Sequence, residues 1–140
     1  MTVYLDASIL VALFTDNPFS GRADDILRSS DHVPVVSDFA AAEFASALGL
    51  RVRTARLTET EAREAFGDFD AWTAQSVLKT EAQASDIAVA TAFLRRLDLT
   101  LRAPDAVNIA IAQRLESSLV TFDAKMSASA RALGVTIIGD

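Results

Sequence analysis

Short β-branched runs alternate with longer helix-forming segments along the whole chain. The runs are TVYLD from Thr2, VPVV from Val33, SLVTF from Ser118 and VTII from Val135. The segments between them are rich in alanine and leucine, which favour helices. Because parallel strands need helical crossovers between them, this alternation predicts an α/β layered domain with a mostly parallel sheet.

Helix-start signals stand between these runs. Residues that accept a backbone N–H, or a proline in the first helical turn, mark such starts. After a first helix, ASILVALF, we predict starts at Asn17-Pro18, Ser37, Thr58, Thr80, Pro104 and Ala124. TETE from Thr58 and TEAQ from Thr80 have the spacing of a capping box.

Two helical segments carry apolar residues at helical spacing. After Thr80 the predicted apolar face consists of Ile87, Ala90, Phe93, Leu94 and Leu97. The stretch AFGDFDAW places Phe66, Phe69 and Trp72 on one helical ridge. Core packing is the simpler interpretation of this ridge, and contact with a partner protein or a second copy is the alternative.

The composition limits the classes of protein. A chain of 140 residues with 51% hydrophobic residues predicts one domain, spanning residues 1–140, with a sizeable core. It contains no cysteine and one histidine, which argues against disulfides and a structural zinc site and favours the cytoplasm. No apolar run reaches the roughly 20 residues that a membrane span requires, so no membrane association is expected.

Four carboxylates occupy positions where a parallel sheet gathers ligands. Asp6 and Asp123 end strand-like runs, Asp105 lies in the first turn of a predicted helix, and Glu43 interrupts the apolar segment FAAAEFASAL. Singly, the aspartates have an ordinary interpretation as turn or cap residues, and Glu43 as an outward-facing charge. Together at one edge of a sheet they would repel one another unless a hard cation such as Mg²⁺ or Mn²⁺ were bound.

Three polar residues are candidates for supporting these carboxylates. Ser8 follows Asp6 by two residues, and Asn108 lies one helical turn after Asp105 among apolar residues. Each also has a structural interpretation, Ser8 as a helix cap and Asn108 as a hydrogen-bonded core amide. For Thr121 we favour a structural role, holding the loop before Asp123.

Four segments follow one another in the order YLDASILVALF, AAEFASAL, RAPDAVNIAIAQRL and LVTFDAKMSASARALGV, and together they cover essentially the whole chain. In this order they resemble the PIN-domain ribonucleases, and most closely the VapC toxins of type II toxin–antitoxin systems. The resemblance implies a three-layer α/β/α fold with a mostly parallel central sheet of about five strands. It also implies a homodimer that pairs with a small VapB-like antitoxin.

The same resemblance implies the chemistry. The family's acidic quartet falls on Asp6, Glu43, Asp105 and Asp123, which would be catalytic and hold one or two Mg²⁺ or Mn²⁺ ions. The reaction would be cleavage of phosphodiester bonds in a structured RNA such as tRNA or rRNA. Many members carry a further acidic residue shortly after the last aspartate, whereas this chain has Ala124, Lys125 and Met126 there. This departure puts a strongly held second metal ion in question.

An RNA substrate must be reconciled with a net charge of −6 and a pI of about 4.7. The chain offers one basic cluster after the Glu43 segment, formed by Arg51, Arg53 and Arg56, and another before Asp105, formed by Arg95, Arg96 and Arg102. Both have the alternative interpretation of solvated helix ends. With so few cations, RNA affinity should depend only modestly on salt.

The main alternative is a non-catalytic acidic α/β binding module or a receiver-type signalling module. A receiver needs paired acids after its first strand and a lysine at the end of a late strand. Here the first strand ends in Asp6 alone, and Lys125 follows a strand rather than ending one. A catalytically inactive PIN domain is a further alternative, disfavoured because every quartet position is filled.

Overall fold

A computed structural model describes residues 1–29 and 31–139. In this part of the chain five strands form one sheet, in which every strand is parallel to its neighbours and the order is β3-β2-β1-β4-β5. The strands are β1 Thr2–Leu5, β2 Val33–Ser37, β3 Leu78–Thr80, β4 Ser118–Val120 and β5 Ile137–Ile138. The helices are α1 Ala7–Phe14, α2 Ser20–Ser29, α3 Asp38–Arg53, α4 Glu59–Ser76, α5 Ala84–Arg95, α6 Ala103–Arg114 and α7 Ala124–Ala132.

Helices cover both faces of this sheet. Since successive residues of a strand point to opposite faces, neighbouring residues of one strand pack against different helices. Val3 and Leu5 of β1 pack with residues of α1, α3 and α4 in one apolar cluster. Tyr4, between them, belongs to a second cluster with residues of α6 and α7. The result is the predicted three-layer α/β/α architecture with a parallel sheet.

The strand order reverses direction between β1 and β4. The chain moves outward from β1 through β2 to β3 and then returns to β4 on the other side of β1. In open parallel sheets the carboxyl ends of the strands at such a reversal form the usual ligand crevice. Asp6 directly follows β1, and Asp123 lies three residues after the end of β4.

Several predicted helix starts are confirmed. The Ser37 side chain accepts the backbone N–H of Ala40 at the start of α3. Thr58 and Glu61 form the predicted capping box of α4. The helix α7 begins at Ala124 as expected.

Two helix starts and one strand were predicted wrongly. The residues Thr80-Glu81-Ala82-Gln83 do not form a capping box, because Thr80 ends strand β3, which the sequence analysis missed. The cap of α5 is Gln83, whose backbone N–H is bound by Asp86. Likewise α2 begins at Ser20 rather than at Pro18, since Asn17 instead closes a turn by accepting the N–H of Phe19.

The predicted apolar faces are partly correct. On α5, Ala90 is buried and Phe93 and Leu94 pack on the core, but Ile87 is 49% exposed. Leu97 lies beyond the end of α5 and is 90% exposed. On α4, Phe69 is buried, and the centroid of its ring lies 5.6 Å from the centroid of the Phe14 ring. The partly buried Phe66 and Trp72 pack on the same cluster, so core packing explains this ridge.

None of the helices within residues 1–29 and 31–139 combines the length and the hydropathy that a membrane span requires.

Candidate active site

Asp6 is the most buried of the four candidate carboxylates, with 6% of its surface exposed. It caps α1 by accepting the backbone N–H of Ile9 at Oδ1, over 3.3 Å. The hydroxyl of Ser8 donates to the same oxygen over 2.6 Å, and the hydroxyl of Thr121 donates to Oδ2 over 2.5 Å. Burial raises the pKa of Asp6, although these hydrogen bonds favour the charged form.

Thr121 and Ser8 join the ends of β1 and β4. While Thr121 donates to Asp6, its oxygen accepts the backbone N–H of Asp123 over 3.0 Å. Ser8 likewise donates to Asp6 and accepts the N–H of Phe122 over 3.0 Å. The two hydroxyls therefore fix the loop that carries Asp123 relative to Asp6. Thr121 has the structural role that we favoured and also contacts a candidate ligand directly.

Asp123 is the N-cap of α7. Its Oδ1 accepts the backbone N–H groups of Lys125 and Met126, over 2.9 and 3.1 Å. The ordinary interpretation of this aspartate as a helix cap is therefore correct for one oxygen. In the contacts described, its second oxygen is not used by the cap.

Glu43 lies half-buried on α3 and is held from the opposite helical layer. The Nδ2 group of Asn108 on α6 donates to its Oε1 over 2.6 Å and also to the carbonyl of Pro104 over 3.0 Å. Burial raises the pKa of Glu43, and the nearby charges of Asp6 and Asp105 raise it further, against the opposing effect of Asn108. A carboxylate inside the apolar segment is thus explained by an inward-facing polar site.

Asp105 lies in the first turn of α6, and its side chain is 16% exposed. Its Oδ2 accepts the backbone N–H of Arg102 over 3.2 Å, and the Arg102 guanidinium is 3.8 Å away. A cavity of about 410 Å³ is lined by Asp105 and Asp123 together with Arg102 and Lys125. Lys125, which the sequence did not indicate as a site residue, is therefore part of the lining of this cavity.

A second cavity, of about 550 Å³, adjoins Ser8 and Asp123. Arg51 lines it, as do Phe19 and Phe122, whose rings stack with centroids 5.1 Å apart. The Arg22 guanidinium lies 5.2 Å from the centroid of Phe122. Sequence reasoning missed this aromatic stack, although Phe122 directly precedes Asp123.

The two basic clusters are only partly associated with these cavities. Arg51 and Arg102 line them. Arg53, Arg56 and Arg95 are exposed and are not among the lining residues. Arg96 forms an ion pair with Asp98 over 2.8 Å. Of the three arginines after Glu43, Arg51 is therefore the one that lines a cavity beside the candidate site, while Arg53 and Arg56 stay predicted RNA contacts on the exposed surface.

The donor set suits a hard dication. All four candidate ligands offer carboxylate oxygens, which Mg²⁺ and Mn²⁺ prefer. Burial raises the pKa of both Asp6 and Glu43, and nearby negative charges raise that of Glu43 further, so a bound cation would favour the charged form of both. Within residues 1–29 and 31–139, however, no three acidic or histidine side chains already stand in a complete ligating arrangement. The donor atoms thus fit a dication in their chemistry, while the described residues do not assemble them into a complete site.

Comparisons with known proteins agree with this architecture. The model of the family described as PIN domain matches residues 3–132. A search of curated proteins finds no significant match. Among solved structures, VapC20 of Mycobacterium tuberculosis, described as a sarcin–ricin loop cleaving toxin, is 20% identical with a TM-score of 0.73, over 91% of this chain and 95% of that chain.

Two toxin–antitoxin structures are also similar. VapBC2 of Rickettsia felis, bound to a DNA fragment from its promoter, is 15% identical with a TM-score of 0.70, over 98% of this chain and 97% of that chain. A toxin–antitoxin complex from Klebsiella pneumoniae is 18% identical with a TM-score of 0.66, over 91% of each chain. At these identities the likeness establishes the shared fold.

Proposed function

Because this chain belongs to the PIN domain family, we propose that it is a metal-dependent endoribonuclease toxin that cleaves phosphodiester bonds in a structured RNA. Its proposed metal ligands are Asp6, Glu43, Asp105 and Asp123. Its proposed partner is a VapB-like antitoxin that neutralises it.

One observation carries the proposal: polar side chains hold the carboxylates of Asp6 and Glu43 and connect them to the elements that carry Asp123 and Asp105. Thr121 ties Asp6 to the backbone of Asp123. Asn108 ties Glu43 to α6, one turn after Asp105. A fold has no structural need to bring the charges of Asp6 and Asp105 near a half-buried Glu43, because like charges in a partly buried site reduce stability. Such an arrangement is expected where a cation is to be bound.

A bound Mg²⁺ or Mn²⁺ would supply Lewis-acid chemistry, lowering the pKa of water and offsetting charge on the phosphoryl oxygens. Asp6 and Glu43 are the carboxylates most firmly fixed by side-chain hydrogen bonds, so they would define its position. Asp105 and Asp123 line one cavity and would complete the ligand set directly or through water. Lys125 and Arg102, at the rim of that cavity, would attract the negatively charged RNA backbone.

The RNA path that we propose runs from this cavity into the one lined by Arg51. Phe19 and Phe122 provide aromatic surface there, on which an unpaired base can stack. Proteins read RNA sequence mainly at single-stranded loops, where bases are free to stack. The likeness to a toxin described as cleaving the sarcin–ricin loop supports a structured rRNA or tRNA substrate.

The proposal of an antitoxin partner is supported by the fold likeness to two toxin–antitoxin structures. We propose in addition that the chain forms a homodimer, which light scattering of the purified chain would test. An RNA substrate and an antitoxin partner would place the activity in the cytoplasm.

The test is to incubate the purified chain with total cellular RNA and Mg²⁺ or Mn²⁺, with and without chelator. We expect cleavage that chelator abolishes and that Asp6→Asn lacks. Asp68→Asn, at an exposed position of α4, is the matched control and should cleave like wild type. RNA left intact by wild type, or cleavage unaffected by chelator and Asp6→Asn, would contradict the proposal. Phosphoryl transfer to a single aspartate instead would favour the receiver alternative.

A further inference from the structure

Tyr4, the one tyrosine of the chain, is completely buried in the middle of β1. Its hydroxyl nonetheless has polar partners on two other elements, helix α6 and strand β2. It donates to Oδ1 of Asn108 on α6 over 2.5 Å, and it lies 2.6 Å from Oγ of Ser37 at the end of β2. A hydroxyl that is buried and fully hydrogen-bonded fixes the orientation of the groups it contacts.

The donors and acceptors around Tyr4 can be assigned a direction. Tyr4 has one hydroxyl hydrogen, and Asn108 Oδ1 can only accept, so that hydrogen is given to Asn108. Ser37 must then donate to the Tyr4 oxygen, while Ser37 Oγ accepts the N–H of Ala40 over 2.9 Å. The result is a chain of hydrogen bonds that all point the same way, from the start of α3 through Ser37, Tyr4 and Asn108.

This chain ends on Glu43. With its oxygen held by Tyr4, the Asn108 amide must turn its Nδ2 group to Glu43 Oε1 and to the carbonyl of Pro104. The flipped amide would place an oxygen against two acceptors and its NH₂ group against the Tyr4 hydroxyl. Tyr4 therefore holds the oxygen of the Asn108 amide while Glu43 and the Pro104 carbonyl hold its NH₂ group, so Tyr4 helps to orient the amide without touching the carboxylate.

We propose that Tyr4 is a positioning residue of the acidic site, which orients Asn108 and through it holds Glu43 in the position for binding a dication. The proposal rests on the proposed function, because it assigns Glu43 to the metal site. It predicts that loss of one buried oxygen atom, which is hydrogen-bonded to none of the four carboxylates, weakens metal binding. Side chains that orient metal ligands typically change affinity by about 10- to 100-fold when they are removed.

The first arm of the test uses metal-free protein. Tyr4→Phe keeps the buried ring and removes only the hydroxyl. We expect the side-chain NH₂ resonances of Asn108 and the carboxylate carbon resonance of Glu43 to shift in NMR spectra. Ile111→Val is the control, because it removes one buried methylene from α6, the helix that carries Asn108. It should leave the Asn108 and Glu43 resonances unchanged. Unchanged resonances in Tyr4→Phe would overturn the proposal.

The second arm measures Mg²⁺ or Mn²⁺ affinity by calorimetry in a double-mutant cycle. Tyr4→Phe should weaken affinity by about tenfold in the wild-type background, but by less than about twofold when Asn108 is already alanine, because the effect passes through that residue. An equal loss in both backgrounds would show that Tyr4 acts by general packing and would overturn the proposal.

The two arms separate this proposal from the proposed function. If the wild-type chain binds no dication, the proposed function fails, while the orienting effect of Tyr4 on Asn108 and Glu43 is still decided by the metal-free spectra. If wild type binds the dication and Tyr4→Phe binds it equally well, the proposed function stands and the role of Tyr4 is refuted.

Discussion

The side-chain amide of Asn108 on α6 donates to Oε1 of Glu43 on α3 over 2.6 Å. This contact joins helices that lie on opposite faces of the sheet, at the edge where β1 and β4 also end. It gives a half-buried glutamate a defined position without giving it a neutralising charge.

In metal-free protein, Glu43→Gln should be more stable than wild type at neutral pH. Burial and the charges of Asp6 and Asp105 raise the pKa of Glu43, so the charged form of this side chain is less favourable in the folded protein than in the unfolded chain. The contribution of Glu43 to stability is therefore intact below the ordinary glutamate pKa of about 4.3 and is lost as the pH rises through the raised value.

Urea unfolding in the presence of chelator, at about pH 4, 6 and 8, measures this effect. The advantage of the glutamine variant should be absent at the lowest pH and grow as the pH rises. Glu64→Gln, at an exposed position on α4, serves as the control and should change stability by no more than about 0.5 kcal/mol. A constant difference between Glu43→Gln and wild type at all three pH values would refute the role of ionisation.

Added Mg²⁺ or Mn²⁺ should raise the melting temperature of wild type. A ligand that binds only the folded state, at a free concentration about 100-fold above its Kd, stabilises that state by about 2.7 kcal/mol. Asp6→Asn should lose most of this gain, because Asp6 is the carboxylate fixed by both Ser8 and Thr121. Asp68→Asn should keep it. Equal melting with and without the ion in wild type would argue against a dication site.

Arg51 should contribute one RNA contact. It lines the cavity beside Ser8 and Asp123, so Arg51→Ala should weaken RNA binding and reduce the slope of log affinity against log salt by about 0.7 to 1. Arg63, which is exposed and paired with Glu59 on α4, provides the control substitution to alanine. Fluorescence anisotropy with a labelled RNA hairpin over a salt series measures both. An unchanged slope for Arg51→Ala would remove this residue from the RNA path.

The ion pair between Asp86 and Arg114 should be a main contributor to stability. Asp86 is 2% exposed, and Arg114 donates to both of its oxygens over 2.8 and 2.9 Å. Arg114→Ala should cost about 3 kcal/mol, because it leaves a buried carboxylate without its partner. Arg63→Ala, which breaks an exposed pair, should cost little. Similar unfolding free energies for the two variants would contradict this assignment.

The same ion pair should depend on pH in the opposite sense to Glu43. Burial tends to raise the pKa of Asp86, but hydrogen bonds from Arg114 and from the backbone N–H of Gln83 hold it below its usual range. Its contribution is therefore complete above the ordinary aspartate pKa of about 3.9 and is lost as the pH falls through the lowered value. The destabilisation by Arg114→Ala should shrink correspondingly in acid.

The sequence predicted those features that depend on local patterns. The capping box at Thr58 and the cap at Ser37 form as expected because each helix end needs partners for its own N–H groups. The strand β3 was missed because its sequence, LKT, is only three residues long and is not a run of apolar residues. It is an outer strand of the sheet, so it is less buried than the central strands. The same edge pairing draws Thr80 into the strand, and Gln83 with Asp86 caps α5 instead.

Features that depend on contacts between distant elements were less predictable. Asn108 was proposed from its apolar surroundings, since a buried amide requires a partner. The partnership of Tyr4 with Ser37 and Asn108 gave no signal in the sequence, because a tyrosine in a β-branched run has the ordinary role of filling the core. The sequence showed that Lys125 follows Asp123 closely, but not that it lines a cavity with Asp105. That neighbourhood depends on how the fold places the starts of α6 and α7.

The central claim is that these carboxylates share a dication, and anomalous diffraction from crystals soaked in Mn²⁺ tests it most directly. We predict an anomalous peak at about 2.1 Å from carboxylate oxygens of at least two of the proposed ligands, which are Asp6, Glu43, Asp105 and Asp123. In Asp6→Asn crystals treated in the same way, that peak should be weakened or absent. A peak bound elsewhere on the chain, or none at this edge of the sheet in wild-type crystals, would contradict the claim.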